Sequence, residues 1–151
     1  IEKQAFYRTL NQQAQALLEG EPDLIANLAN LSALLNQELA DINWVGFYLL
    51  QGETLVLGPF QGKPACIRIA LGQGVCGAAA ASAATQLVPD VHAFPGHIAC
   101  DGASNSEIVI PLRRGGEIIG VLDVDSPIFN RFDQEDRIGL EETVQILESM
   151  L

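Results

Sequence analysis

Positive charge is scarce in this sequence. Eight lysines and arginines face nineteen aspartates and glutamates, a net charge of −11. Nucleic-acid backbones are bound through clustered Lys and Arg, and the sole adjacent basic pair, Arg113–Arg114, sits in a turn-like stretch. No nucleic-acid partner is expected. Long apolar runs are missing too. The alanine-rich stretch GAAAASAA (77–84) is too short and too weakly hydrophobic to span a bilayer, so no membrane partner is expected either. The first residues lack a charged-then-apolar leader pattern. Cysteine is sparse: Cys66, Cys76 and Cys100 make an odd set without a CxxC. That fits a secreted disulfide framework poorly, and the expected location is cytoplasmic. With no short paired spacing of ligand residues, a zinc site is a poor fit and no bound metal is expected. What the chain has in quantity is apolar residues, 48% hydrophobic against 18% charged over 151 residues. This composition predicts a single domain, 1–151, with its own core.

Helical spacing of Phe6, Leu10, Ala14 and Leu17 predicts a helix over 3–18, with Gly20 as its stop. Leu24, Leu28, Leu31, Leu35 and Leu39 continue one apolar stripe in a second helix, with Pro22 suited to its first turn. From Asn43 the texture turns to strand. NWVGFYLL and TLVLG flank a QGET turn, and ACIRIAL (65–71) reads as a third strand. A short helix of small residues follows GQG, then a brief strand in TQLVPDV, then a long loop from Val91 to Ser106. Loops of that length are usually functional. EIVIPL and EIIGVLDVD form a hairpin around RRGG, and a last helix is capped by Asp133. Strands joined by tight turns, with helices at both ends of the chain, predict an α+β domain with an antiparallel sheet.

Several residues break these patterns in a chemically pointed way. Asp123 and Asp125 interrupt an apolar strand at a spacing of two, which puts both carboxylates on one face. Either this is a strand end dipping into solvent, or the like charges raise at least one pKa or call for a cation or a hydrogen-bonding ligand. Glu107 opens the partner strand. A three-residue loop of Arg114, Gly115 and Gly116 would pair Arg113 with Glu117 and place Glu107 opposite Asp123. A two-residue loop would send it to the other face. The three-residue loop is the expectation, since adjacent glycines supply the αL residue it needs. Cys100 lies in a polar loop, an unusual place for a structural thiol. Cys66 reads as a small core residue of its strand. Cys76 follows GQG at a helix start, where free backbone N–H groups favour a thiolate. His97, three residues before Cys100, is either an assistant to it or an ordinary solvated loop histidine. Trp44 and Tyr48 share one strand face with Gly46 between them, either ordinary core aromatics or a setting suited to an ammonium beside carboxylates.

In order and spacing, NWVGFYLL, LGPFQGKPACIRI, GQGVCG, HIACDGASNSEIVIPL and GVLDVDS resemble the free methionine-R-sulfoxide reductases, a family of single-domain GAF proteins. The likeness covers nearly the whole chain. It implies a GAF fold: a central antiparallel sheet, N- and C-terminal helices on one face, and a ligand pocket on the other. It implies that Cys100 is the nucleophile, Cys66 the resolving thiol, and Cys76 a participant in disulfide exchange. Trp44, Tyr48, Glu107, Asp123 and Asp125 would then line the site for free methionine-R-sulfoxide, with Asp125 among the catalytic acids.

On that reading a wall carboxyl protonates the sulfoxide oxygen and the Cys100 thiolate attacks sulfur. Cys100 becomes a sulfenic acid and Cys66 condenses with it. No cofactor would be bound. Thioredoxin, fed by NADPH through thioredoxin reductase, would be the external reductant. The sequence does not set the oligomeric state; the resemblance admits a homodimer through a helix face. Two rival readings are a non-catalytic GAF sensor of a small ligand and a thiol switch without a substrate.

Overall fold

Residues 2–98, 100 and 102–151 are described by the structure, a computed structural model. The elements run α1 (Lys3–Leu18), α2 (Leu24–Glu38), β1 (Trp44–Gln51), β2 (Thr54–Gly62), β3 (Arg68–Ala70), α3 (Gly74–Ser82), β4 (Gln86–Val88), β5 (Ser106–Arg114), β6 (Glu117–Ser126) and α4 (Gln134–Glu148). The strands form one antiparallel sheet in the order β3-β2-β1-β6-β5-β4. No helix among the described residues is long and apolar enough to cross a membrane.

The helical stripes bury against one face of this sheet. Leu28, Leu31 and Leu35 of α2 are wholly buried there with Leu140 and Leu147 of α4. Each such leucine contributes about 1.5–3 kcal/mol over an exposed one. In α1 the buried face is Tyr7, Leu10, Ala14 and Leu18, while Leu17 is 40% exposed and Phe6 only partly covered. The stripe is thus rotated from the one expected, for a reason that lies in α4. Tyr7 packs its ring over Gly139, where an added Cβ would come within 2.2 Å of it, and donates its hydroxyl to Asp136 at 2.6 Å. Asp136 also accepts from Lys3 and closes a capping box with Asp133, the predicted N-cap. Helix α2 begins two residues after Pro22, at Leu24. Asp23 is its N-cap, accepting from the Ala26 N–H at 2.8 Å, so Pro22 precedes the helix.

Helix α3 covers the opposite face, over a second cluster that includes Trp44, Tyr48, Ile69, Cys76 and Val109. The arrangement that the resemblance implies is therefore present: helices from both termini on one side, and space for a pocket on the other.

The β5–β6 hairpin departs from expectation twice. Its loop is the two-residue Gly115–Gly116, both with positive φ (58° and 82°), and Arg114 pairs with Glu117. This is the turn that adjacent glycines permit and that matches strand twist. A register shift follows at once. Arg113 pairs with Ile118 but Leu112 pairs with Gly120, so Ile119 is an extra residue on β6. The bulge reverses the parity that the short loop imposed. Glu107 ends opposite Asp125, not Asp123, yet on the same face as both.

Candidate functional site

Three strands build one wall. Trp44 on β1 and Glu107 on β5 both lie directly opposite Asp125 on β6. In the next row Gly46 and Val109 flank Asp123. Opposed residues project to one side of the sheet, so aromatic and acidic groups share that side. Gly46 is needed by its neighbour: a Cβ there would sit 2.2 Å from the Cβ of Phe60 on β2. Every residue singled out from the sequence, except Cys66, lines one cavity of about 40 Å³. Such a volume admits a few waters and no amino acid.

No lysine or arginine is among the described residues lining it. Asp123 is 5% exposed, and its Oδ1 has no hydrogen-bond partner among the described residues. Burial first, then the neighbouring Asp125, Cys76 and Glu107, push its carboxyl well above the usual range and favour the protonated form. The pocket therefore offers a stored proton and a demand for positive charge in the same few ångströms.

Cys66 and Cys100 are joined by a disulfide, with Cα atoms 5.4 Å apart. That lies inside the span a disulfide allows. Cys66 is not in a strand, as its sequence context predicted. It belongs to an irregular strap, 63–67, between β2 and β3. The strap is held by three hydrogen bonds from the sheet. Trp44 Nε1 donates to the Lys63 carbonyl at 3.1 Å, Tyr48 Oη to the Cys66 carbonyl at 2.7 Å, and the Leu57 N–H to the Ile67 carbonyl at 2.9 Å. The aromatic pair, with rings 6.0 Å apart and stacked, thus lines the pocket and fastens the strap with its polar ends. Tyr48→Phe removes one such bond, worth about 1 kcal/mol. The Cys66–Cys100 disulfide should become about fivefold easier to reduce. Titration against dithiothreitol redox buffers reads this, and an unchanged midpoint would remove the anchoring role.

Cys76 departs from expectation more sharply. It lies in the first turn of α3, yet it is 5% exposed and its sulfur sits 4.0 Å from Glu107 Oε2. Burial, followed by the charges of Glu107 and Asp125, pushes its thiol well above the ordinary value. Desolvation outweighs the helix N-terminus here, and the thiolate is disfavoured. Cys76, Glu107 and Asp123 also bring ligand atoms within 4.8 Å of one another. These three could hold a thiophilic cation, although nothing in their sequence spacing hints at it, because they come from α3, β5 and β6. The same oxygens are those an ammonium group would seek.

The Cys100 loop is pinned at its ends. Val91 N–H donates to Asn105 O at 3.0 Å, and Asn105 N–H to Ser126 O at 2.8 Å. His97 lines the cavity beside Cys100. Sequence reading missed Gln73, Gly74 and Val75, which present the start of α3 to the cavity, and Ser104, which accepts from Asn43 Nδ2 at 3.1 Å. GQG was the available signal for the first group. Ser104 had none, since its neighbour Asn43 is distant in sequence.

The GAF domain family model matches residues 25–151. The free methionine-R-sulfoxide reductase of Escherichia coli K12 is 58% identical over 100% of this chain and 92% of its own length. The structure of fRMsr of Staphylococcus aureus in complex with substrate aligns with a TM-score of 0.93 at 55% identity, covering 96% of this chain and 95% of that one. The free methionine-R-sulfoxide reductase of Neisseria meningitidis, in complex with its substrate, aligns with a TM-score of 0.96 at 47% identity, covering 99% and 90%.

Proposed function

The chain belongs to the free methionine-R-sulfoxide reductases, a family of GAF proteins, and we propose that it reduces free L-methionine (R)-S-oxide to L-methionine. The observation that carries this is the Cys66–Cys100 disulfide at the rim of an acid-walled cavity with no lysine or arginine among its described lining residues. A GAF pocket that only sensed a ligand would have no use for that bond.

A sulfoxide sulfur becomes electrophilic when its oxygen is protonated. Asp123 stores the proton, and Asp125, beside it on the same face, completes the acid pair that delivers it. The Cys100 thiolate attacks sulfur, the oxygen passes to Cys100 as a sulfenic acid, and methionine leaves. The Cys66 thiol then condenses with the sulfenic acid and water is released. Two electrons from a dithiol reopen the disulfide; thioredoxin, supplied by NADPH through thioredoxin reductase, is the reductant in this reading. Glu107 and the ionised part of the wall take the substrate ammonium, while Trp44 and Tyr48 enclose its methyl-sulfur end. Peptide-bound methionine sulfoxide lacks that charge and would leave the acids uncompensated. The disulfide state is too narrow for substrate, so reduction has to widen the cavity. Cys76, held neutral, enters only through later disulfide exchange. A single GAF domain over 1–151, a cytoplasmic location and a homodimer through the outer helix face, where Leu17 and Ile138 are exposed, belong to the same reading.

The test is NADPH oxidation in the presence of thioredoxin, its reductase and each epimer of free methionine sulfoxide. Consumption with the R epimer alone is the expected result. No consumption by fully reduced protein would return the chain to the sensor class.

A further inference from the structure

The disulfide has two unlike sides. Cys100 lines the cavity, whereas Cys66 does not, and sits on the strap. Beside it Ile67 is 60% exposed, and Ile98, from the Cys100 loop, is 37% exposed. Lys63 and Arg68, both exposed, flank Cys66 within the same short stretch. Among the described residues the ion pairs run elsewhere, through Lys3, Arg131 and Arg137. In a chain of net charge −11, this is a local patch of free positive charge around an apolar side chain and a disulfide. Ile67 has no packing reason to be there. The neighbouring strap backbone is fixed by Trp44, Tyr48 and Leu57, so its side chain is presented outward on a rigid support.

We propose that the strap around Ile67, with Lys63 and Arg68 at its edges, is the docking surface for the protein dithiol that recycles the enzyme, and that the incoming thiolate attacks Cys66. This rests on the reductase reading above. Its chemistry favours one sulfur over the other. Attack on Cys66, half-buried on the strap beside exposed Ile67, expels Cys100 as a thiolate toward the cavity, where it is next required. Attack on Cys100, which is equally half-buried, would instead tie up the thiol that lines the cavity. The first exchange breaks the Cys66–Cys100 bond and forms a partner–Cys66 bond. The partner's second thiol then attacks its own first sulfur and frees Cys66 as a thiolate. The partner leaves as a disulfide, two electrons poorer. The surface calls for a partner with an apolar patch beside its thiol and acidic groups around it.

Three proteins decide it: the parent chain, Ile67→Asp/Arg68→Glu, and Ile67→Leu. Each is assayed on free methionine-R-sulfoxide with thioredoxin and, separately, with dithiothreitol, which needs no docking surface. The charge-reversed variant should show KM for thioredoxin raised roughly tenfold or more, with its dithiothreitol rate within about twofold of the parent. Ile67→Leu should behave as the parent, and the parent's KM for thioredoxin should rise with salt. An unchanged thioredoxin KM overturns the proposal, as does an equal loss with both reductants, which would make the strap merely structural. A parent that turns over with neither reductant overturns the reductase reading itself. A thioredoxin lacking its second thiol should be trapped on Cys66; a mixed disulfide on Cys100 refutes the direction of attack.

Discussion

Cys100→Ser abolishes reduction of free methionine-R-sulfoxide, with a loss on the order of 10³-fold or more, and does so in a single turnover as well as at steady state. The reason is chemical before it is structural. A thiol ionises far more readily than a hydroxyl, its thiolate is a strong nucleophile toward sulfur, and it can carry the transferred oxygen as a sulfenic acid. A serine hydroxyl has none of these properties. The remaining thiols do not substitute. Cys66 is on the strap outside the cavity lining, and Cys76 lies in it but is held protonated by burial beside Glu107 and Asp125. Cys66→Ser gives the contrasting result: one methionine per enzyme in a burst, then a stall, with the Cys100 sulfenic acid open to trapping by dimedone. Quenched single-turnover measurement of methionine separates the two variants. Normal turnover by Cys100→Ser would end the assignment.

How far the sequence revealed this site depended on which interactions were local. The spacing of Asp123 and Asp125 fixes their common face by strand geometry alone, so the acid wall was legible. Glu107 was legible only by parity. A two-residue glycine turn and a one-residue bulge at Ile119 each invert the facing, and together they cancel. Neither is encoded in hydrophobic alternation, because EIIGVL is apolar on both faces there. Cys66 was misread as a strand residue since ACIRI alternates. What holds it out of β3 is the Tyr48 hydroxyl, eighteen residues earlier. Cys76 shows the same limit in electrostatics: the helix start is visible in GQGVCG, while the burial that overrides it is supplied by β5 and β6. The α1 stripe was shifted by Gly139, on a helix at the other end of the chain. In each case local pattern established the element, and a distant partner decided which way a side chain faced.

Asp123→Asn should therefore split stability from activity. Asp123 is buried with no hydrogen-bond partner for Oδ1 among the described residues, and its carboxyl is raised well above its ordinary value of 3.8 by burial and by Asp125, Cys76 and Glu107. In the unfolded chain the same group titrates near its ordinary value. The native state then binds a proton that the unfolded state has released, so stability is greatest at low pH and falls as pH rises through the native value. Asparagine has nearly the same shape and no charge to desolvate. Its removal of that slope should leave the variant more stable than the parent by about 0.5–2 kcal/mol at mildly alkaline pH, with the difference vanishing below the unfolded pKa. Activity should move the other way. Without the stored proton, kcat/KM should drop by about 10²–10⁴-fold, and the alkaline decline that the parent owes to Asp123 deprotonation should disappear. Urea unfolding across pH and a pH–rate profile check the two halves independently. A variant that is less stable than the parent at alkaline pH would mean that Asp123 is held by bonds stronger than its burial penalty. A variant with undiminished activity would place the catalytic proton on Asp125 or Glu107. The joint outcome, stabilised and inactive, is what a carboxyl kept in a buried acid wall for its proton requires.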